Sequence, residues 1–275
     1  MAFSQARCVG SSSKSLAVDE KAFQRYSHYY DLLYRDKDYQ AEAEYVARTL
    51  RSVAPRVRRL LEFGSGTGRH GRLLAALGFE VIGIERSETM VAEAGRDAPT
   101  GSQLGGKFNC RHGDIRTVDL QSAFDAVISL FHVVSYQTCN LDLIATFTNA
   151  ARHLDEGGIF FFDVWHGPAV LCERPAVRVK RIEDENTRLT RIAEPKLDVN
   201  AGVVTVRYTV FAESKCDASL TTFEEDHHIR YLFPSEIQFL AHQTGFSMLH
   251  TEEFLTGGVP SESSWGVAYL LKKHG

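Results

Sequence analysis

The feature that most restricts this chain is a short apolar run that turns at once into a helix through a cluster of glycines. Val57 to Phe63 is apolar enough for a buried strand, Gly64-Ser65-Gly66-Thr67-Gly68 follows, and Leu73, Leu74 and Leu77 then recur at helical spacing until Gly78. Glycines at such a turn permit positive φ and close backbone approach, and the following helix start offers unpaired N–H groups. A turn of this kind at the carboxyl end of a first strand is where doubly wound sheets bind their cofactors.

The rest of the chain continues the alternation. Glu80 to Ile84 reads as a second strand followed by a helix through Met90; Phe108 to Cys110 and Phe124 to Leu130 read as two more. Asn140 is placed to cap a helix carrying Leu141, Ile144, Phe147, Ala151 and Leu154 on one face, with Gly157-Gly158 as its break and Ile159 to Phe162 as a fifth strand that stops at Asp163. Ser235 and Gln238 form a capping-box pattern for a late helix ending at Gly245, and two strands follow, around Phe246 to Phe254 and Trp265 to Leu271. Strand–helix alternation at this spacing predicts an α/β fold with a doubly wound, mostly parallel, seven-stranded sheet covered on both faces. Between residues 167 and 234 the pattern changes: Val204, Val206, Tyr208 and Val210 alternate with polar residues, predicting an inserted antiparallel β cap. The expected organisation is a polar, serine-rich tail over residues 1–15, an aromatic helical lid over 16–50, a core from 51–166 and 235–275, and the cap over 167–234.

Composition narrows the function classes. The 275 residues are 44% hydrophobic, enough for a sizeable core, and no run approaches the roughly 20 apolar residues that span a bilayer. The N-terminus has no continuous apolar segment, so no signal peptide and no membrane partner is expected. Lys plus Arg number 31 against 35 Asp plus Glu, without the basic excess of a nucleic-acid surface; the run Arg48, Arg51, Arg56, Arg58 and Arg59 reads as a solvated face. Five scattered cysteines, Cys8, Cys110, Cys139, Cys172 and Cys216, never pair as C-x-x-C, which predicts reduced thiols in a cytoplasmic protein and no metal site.

Two cofactor classes fit the glycine turn. Gly66-x-Gly68-x-x-Gly71 literally satisfies the dinucleotide fingerprint, yet the glycine directly after the strand is Gly64, and counted from there the third position is Arg69. Glu62 would also place a carboxylate close to a pyrophosphate, whereas it suits a ligand carrying an amine. Glu85 ends the second strand, about twenty residues on, where a carboxylate accepts both ribose hydroxyls of either cofactor. Gly113-Asp114-Ile115 after the third strand adds an acidic turn suited to an adenine edge.

With these residues in view, the chain resembles the class I S-adenosylmethionine-dependent methyltransferases. The matching segments are EFGSGTG (62–68), GIERSETM (83–90), HGDIR (112–116), FDAVISLFHVVSY (124–136) and LDEGGIFFFDVW (154–165), in the expected order over residues 20 to 165. The resemblance implies a Rossmann-like methyltransferase fold that takes S-adenosylmethionine, without metal, and releases S-adenosylhomocysteine. It implies that Gly64, Gly66 and Gly68 pass beneath the methionine part with Glu62 near its amine, and that Glu85 holds the ribose. It further implies that Asp114 and Ile115 meet the adenine, that Ser65, Arg86 and Met90 also contact the cofactor, that Leu130 floors the sulfonium, and that Tyr30 stands on a lid over the pocket. Within the superfamily the chain is most similar to bacterial small-molecule enzymes, including those that N-methylate nucleotide-linked amino sugars, through YYDLLYRDKDYQAEAEYV (29–46) and HHIRYLFPSEI (227–237). In those enzymes a histidine is expected in the loop after the fourth strand, where this chain has Tyr136.

The expected reaction is methyl transfer to N or O of a small polar metabolite such as a nucleotide-linked sugar. An RNA or protein methyltransferase and a non-catalytic S-adenosylmethionine-binding protein remain as alternatives. Transfer from a sulfonium needs alignment and exclusion of water, an amine acceptor must be neutral, and a hydroxyl acceptor gains from a general base. Histidine suits that task. The candidates are His132 and His166 on loops at the carboxyl ends of strands and His227 in the cap, with Tyr136 beside them; His227 and His228 must face opposite sides of a strand and so are no metal pair. Tyr26, Trp165 and Arg230 are candidate acceptor contacts, Arg230 for an anionic group. A small-molecule acceptor is the expected partner, nucleic acid is not, and the antiparallel insertion is a candidate homodimer surface.

Overall fold

The protein is described here as a computed structural model covering residues 26–96 and 105–275; the tail 1–15, residues 16–25 of the expected lid, and Cys8 lie outside the described residues. The helices are α1 (Ser27–Leu33), α2 (Tyr39–Val53), α3 (Arg69–Ala76), α4 (Glu88–Arg96), α5 (Asn140–Arg152), α6 (Gly167–Glu173) and α7 (Pro234–Gln243). The strands are β1 (Arg59–Phe63), β2 (Glu80–Glu85), β3 (Lys107–His112), β4 (Phe124–Ser129), β5 (Leu154–His166), β6 (Arg178–Glu183), β7 (Thr187–Asp198), β8 (Val203–Ser214), β9 (Leu220–Leu232), β10 (Phe246–Glu253) and β11 (Gly266–Lys273).

The core sheet runs β3-β2-β1-β4-β5-β11-β10, parallel through β5 and antiparallel beyond it. Its central strands β1, β4 and the middle of β5 are largely buried because both faces are covered, whereas the edge strand β3 is polar and mostly exposed. On β5, Phe160, Phe162 and Val164 pack toward Phe147 of α5 and Leu240 of α7, while Ile159 and Phe161 pack toward Val46 of α2 and Leu74 of α3. The order reverses between β1 and β4, which opens a crevice at their carboxyl ends.

The cap is a four-stranded antiparallel meander, β6-β7-β8-β9. It is not hung on a flexible linker: the end of β9 pairs in parallel with the end of β5, Trp165 against Tyr231 and His166 against Leu232, so the cap sheet continues the core sheet. Helix α1 lies on the cap, where Tyr26 and Leu33 pack with Leu189, Val210 and Phe223. The aromatic segment expected as one helix breaks between Leu33 and Tyr39, so α1 serves the cap while α2 serves the core.

Three local expectations change. The α5 N-cap is Cys139, whose Sγ accepts from the Asp142 N–H at 3.4 Å, rather than Asn140. The buried face of α5 is Leu143, Phe147 and Ala150; Leu141 and Ile144 are exposed, because α5 docks on the sheet about one residue further round than the apolar count suggests. The Ser235–Gln238 box does not form: Phe233 is the N-cap of α7, and Pro234 at the first helical position needs no N–H partner. The basic run is used structurally, with Arg51 donating to the Leu77 carbonyl at 2.7 Å and Arg58 pairing with Glu80 at 3.1 Å.

Candidate active site

The carboxyl ends of the first five strands, α1 and the inner face of the cap enclose one cavity of about 940 Å³. Its lower end is the glycine turn. Gly64, Gly66 and Gly68 all have positive φ, at 71°, 56° and 78°. A Cβ on Gly64 would stand 2.5 Å from a Val133 methyl group, so the turn and the loop after β4 are in direct contact. Four of the turn's five amides are engaged: Gly64 and Ser65 donate to the Ile84 carbonyl at 2.9 and 3.0 Å, Gly66 to the Glu85 carboxylate at 3.0 Å, and Gly68 to the Ser65 carbonyl at 2.9 Å. The Gly66 amide, bonded to the Glu85 carboxylate, is thereby turned away from any phosphate above the turn. Gly71 serves packing, since a Cβ there would lie 2.2 Å from the Phe108 ring.

Glu85 ends β2 with its two oxygens fixed by the Gly66 and Ser87 amides, the latter at 2.8 Å. Burial raises its pKa, and the backbone donors only partly offset that. Arg86, Met90, Asp114, Ile115 and Leu130 line the same end. Asp114 is clamped by the Arg116 guanidinium at 2.5 Å; burial opposes its ionisation, but Arg116 outweighs burial and holds the carboxyl below its ordinary value. A carboxylate acceptor at the end of β2, the acidic turn after β3 and the apolar side chains of Met90, Ile115 and Leu130 suit the ribose and adenine of a nucleoside cofactor.

The floor is the loop after β4. Phe131 and His132 are both held in the left-handed region, φ 64° and 62°, a conformation that costs non-glycine residues on the order of 1–3 kcal/mol. What fixes them is Asp163 at the end of β5, 1% exposed: its Oδ2 accepts the His132 backbone N–H at 3.2 Å and lies 2.6 Å from His132 Nδ1, off the line of a hydrogen bond to the ring. A 3-10 turn from Val133 to Tyr136 then lifts Tyr136 toward the cap.

The cap contributes its inward face. On β9, Glu225, His227 and Ile229 alternate with Glu224, Asp226 and His228, and the cross-strand neighbours on β8 are Tyr208, Val206 and Val204. His228 points the other way and meets Thr205 at 2.9 Å. His227, 1% exposed, is bracketed: Nδ1 lies 3.0 Å from the Tyr136 hydroxyl and Nε2 lies 2.9 Å from Glu225 Oε1. Tyr26 and Tyr208 set their rings against it. Arg191 of β7 ties the lid to the cap, donating to Tyr26 at 2.7 Å and Tyr34 at 3.3 Å.

Of the residues expected from sequence, Tyr26, Tyr30, Gly64, Ser65, Gly66, Glu85, Arg86, Met90, Asp114, Ile115, Leu130, His132, Tyr136, Trp165 and His227 line the cavity. Four do not. Glu62 is buried behind the turn, accepting from the Ser65 hydroxyl at 2.6 Å, and burial raises its pKa. Gly68 faces Phe108 and Ala94 as the N-cap of α3. His166 is buried beyond the cavity wall, where desolvation lowers its pKa. Arg230 is paired with Glu236 and reaches the Thr138 carbonyl at 3.4 Å, joining β9 to α7. Sequence reasoning passed over Glu225, Asp163 and Tyr208. Asp163 had a signal, a lone carboxylate inside Phe160-Phe161-Phe162-Asp163-Val164, which must find partners when buried. Among the described residues no group of three or more His, Cys, Asp or Glu could hold a metal ion.

A sequence family described as a methyltransferase domain matches residues 60–158. The chain is 28% identical to the dTDP-3-amino-3,4,6-trideoxy-alpha-D-glucopyranose N,N-dimethyltransferase of Streptomyces venezuelae over 231 residues, 83% of this chain and 91% of that protein. It is 30% identical over 197 residues to the dTDP-4-amino-2,3,4,6-tetradeoxy-D-glucose N,N-dimethyltransferase of Saccharopolyspora spinosa, covering 71% of this chain and 76% of the relative. Among solved structures it is similar to an amino pentose methyltransferase from Micromonospora echinaspora with S-adenosylmethionine bound, at 25% identity and TM-score 0.71 over 91% of this chain and 97% of that one. With this doubly wound fold, a carboxylate at the strand end beside the glycine turn, and relatives of that length and identity, this chain belongs to the S-adenosylmethionine-dependent methyltransferases.

Proposed function

We propose that the chain N-methylates the amine of a nucleotide-linked amino sugar. The observation that carries this reading is a continuous cavity of about 940 Å³ that runs from the glycine turn to the cap. That volume stands at the upper end of the roughly 300–1,000 Å³ of small-molecule sites, and the cavity reaches from the strand ends to the cap, which supports a donor at one end and an acceptor at the other. Its two ends differ chemically: the lower end carries the ribose acceptor Glu85 and apolar walls, the upper end hydroxyls and imidazoles. The curated relatives act on dTDP-linked amino sugars, as their names state, which supports the acceptor class.

In this reading Gly64, Ser65 and Gly66 lie under the methionine part, Glu85 accepts from the ribose hydroxyls, Met90 and Ile115 wall the adenine beside Asp114, and Leu130 closes the floor. S-adenosylmethionine, when bound, would supply a methyl group on a sulfonium, open to displacement by the acceptor's lone pair. The protein's part is alignment and exclusion of water. Tyr26, Tyr30 and Tyr34 from the lid, with Trp165 and Tyr208, wall the space in which the acceptor sits. Asp163 orients His132 at the floor.

The test is methyl transfer from labelled donor to dTDP-linked 3-amino and 4-amino deoxysugars, to their hydroxyl counterparts and to the free amino sugars, read by mass. Gain of one or two methyl groups by a nucleotide-linked amine is the expected result. Transfer to the hydroxyl counterparts alone would replace this reading by O-methylation, and transfer to none of them would remove the sugar nucleotide.

A further inference from the structure

We propose that Tyr136, His227 and Glu225 form a proton relay in which the Tyr136 oxygen takes the proton from the methyl acceptor and His227 receives the tyrosine's own. This rests on the reading of the cavity as an acceptor site. None of the three positions is adjacent in the chain to another; Tyr136 comes from the 3-10 turn after β4, and Glu225 and His227 from one face of β9. The parallel pairing of β9 with β5 brings the two pieces together.

Hydrogen-bond chemistry sets the direction of the relay. An ionised carboxylate only accepts, so Glu225 Oε1 at 2.9 Å requires a proton on His227 Nε2. In the neutral ring Nδ1 is then the acceptor, and the Tyr136 hydroxyl at 3.0 Å must donate to it. With its hydrogen committed to His227, the Tyr136 oxygen is an acceptor toward the cavity it lines. It therefore welcomes an ammonium N–H or a hydroxyl O–H and offers nothing to an acceptor without a proton to give.

The step balances. The acceptor's N–H bond breaks as a new O–H bond forms on Tyr136; the old tyrosine O–H bond breaks as Nδ1–H forms; the lone pair left on nitrogen is the nucleophile. His227 becomes an imidazolium facing Glu225. No oxidant, reductant or metal is needed. Tyr136 is the catalytic residue, while His227 and Glu225 act through it as positioning and proton-holding residues. The groups facing His227 are Tyr26 from the lid, Tyr208 from β8, Tyr136, and Glu225 on its own strand; Asp226, next along β9, turns to the other face and pairs with Arg207, and Arg191 lies over Tyr208 and bonds Tyr26.

Two measurements test the relay. The first needs no acceptor: nitrogen chemical shifts of His227 in the cofactor-bound protein. The Nε2–H tautomer is expected, and a neutral Nδ1–H tautomer overturns the proposal. The second is kcat at saturating acceptor across pH for Tyr136→Phe, His227→Gln and Glu225→Gln, with calorimetric affinity for S-adenosylhomocysteine as the control of folding. Tyr136→Phe should lower kcat by about 10²-fold or more, the scale of general acid–base catalysis, with cofactor affinity within about twofold. Glu225→Gln should move the acid limb of the profile to lower pH, because the imidazolium loses its anion, and His227→Gln should abolish that limb. Wild-type kcat in Tyr136→Phe, or an unmoved acid limb in both other variants, overturns the relay. Wild-type inactivity toward every sugar nucleotide would instead overturn the acceptor reading, while the tautomer still judges the relay.

Discussion

Replacing Gly64 by alanine should destabilise the protein more than the same change two residues later, and the structure says by how much. Both positions have positive φ, 71° and 56°, so each alanine carries about 1–2 kcal/mol of left-handed backbone strain. A Cβ at Gly66 meets nothing within 4 Å, so Gly66→Ala should cost only that strain. At Gly64 the new Cβ would fall 2.5 and 2.6 Å from the two Val133 methyl groups, closer than carbon atoms approach. Overpacking of this kind adds about 1–3 kcal/mol, giving about 2–5 kcal/mol in all. Val133→Ala removes both offending methyl groups but leaves its Cβ at 3.1 Å, so relief should be large and incomplete. Urea unfolding of cofactor-free Gly64→Ala, Gly66→Ala, Val133→Ala and the Gly64→Ala/Val133→Ala double variant closes a double-mutant cycle. A favourable coupling of about 1–3 kcal/mol is expected. Equal costs at Gly64 and Gly66, or strict additivity in the double variant, would refute the claim that the glycine turn and the floor loop are packed as one unit.

Other outcomes follow from the same geometry. Glu85→Gln should weaken S-adenosylhomocysteine binding about 10–100-fold by calorimetry, since bonds to a charged acceptor contribute about 1.5–3 kcal/mol; unchanged affinity would remove Glu85 from the ribose. Asp163→Asn keeps an acceptor for the His132 N–H but removes the charge beside its ring, so acceptor turnover should fall while cofactor affinity holds. That fall should be smaller than the roughly 10²–10⁴-fold loss of a general base. Burial depresses the His166 pKa below about 6.5, the unfolded value, so the unfolded chain binds the extra proton first. Its contribution to stability is complete above that value and is lost as pH falls through it toward the folded pKa. Denaturant midpoints between pH 7.5 and 5.5 should therefore drop more steeply for the wild type than for His166→Gln, and parallel curves would contradict the depressed pKa.

The sheet was legible because a strand covered on both faces must be apolar throughout. Residues 159–162 therefore announce β5 without reference to anything else. The turn and Glu85 were legible because their spacing follows from one βα unit and the next strand. Helix details were less so: Asn140, Leu141 and Ile144 satisfy local rules, but which face of α5 is buried depends on how it seats against β5 and α7. Glu62, Gly68, His166 and Arg230 belong to the expected segments yet point behind the turn, into the wall or toward α7, and a side chain's direction at a strand end is not written in its neighbours.

By itself, then, the sequence determined the parallel core, the antiparallel insertion, the glycine turn and the strand-end carboxylate, all features set by residues within one or two elements of each other. Tertiary structure alone decided that the cap sheet is continuous with β5, that Asp163 fixes His132, and that Tyr136 meets His227 and Glu225. Those contacts join residues 31 and about 90 positions apart; the first follows from the pairing of β4 with β5, the second from the pairing of the end of β9 with the end of β5. Hydrogen bonds between strands are satisfied by any sequence able to extend, so the pairing that assembles the acceptor end leaves no local mark in the chain.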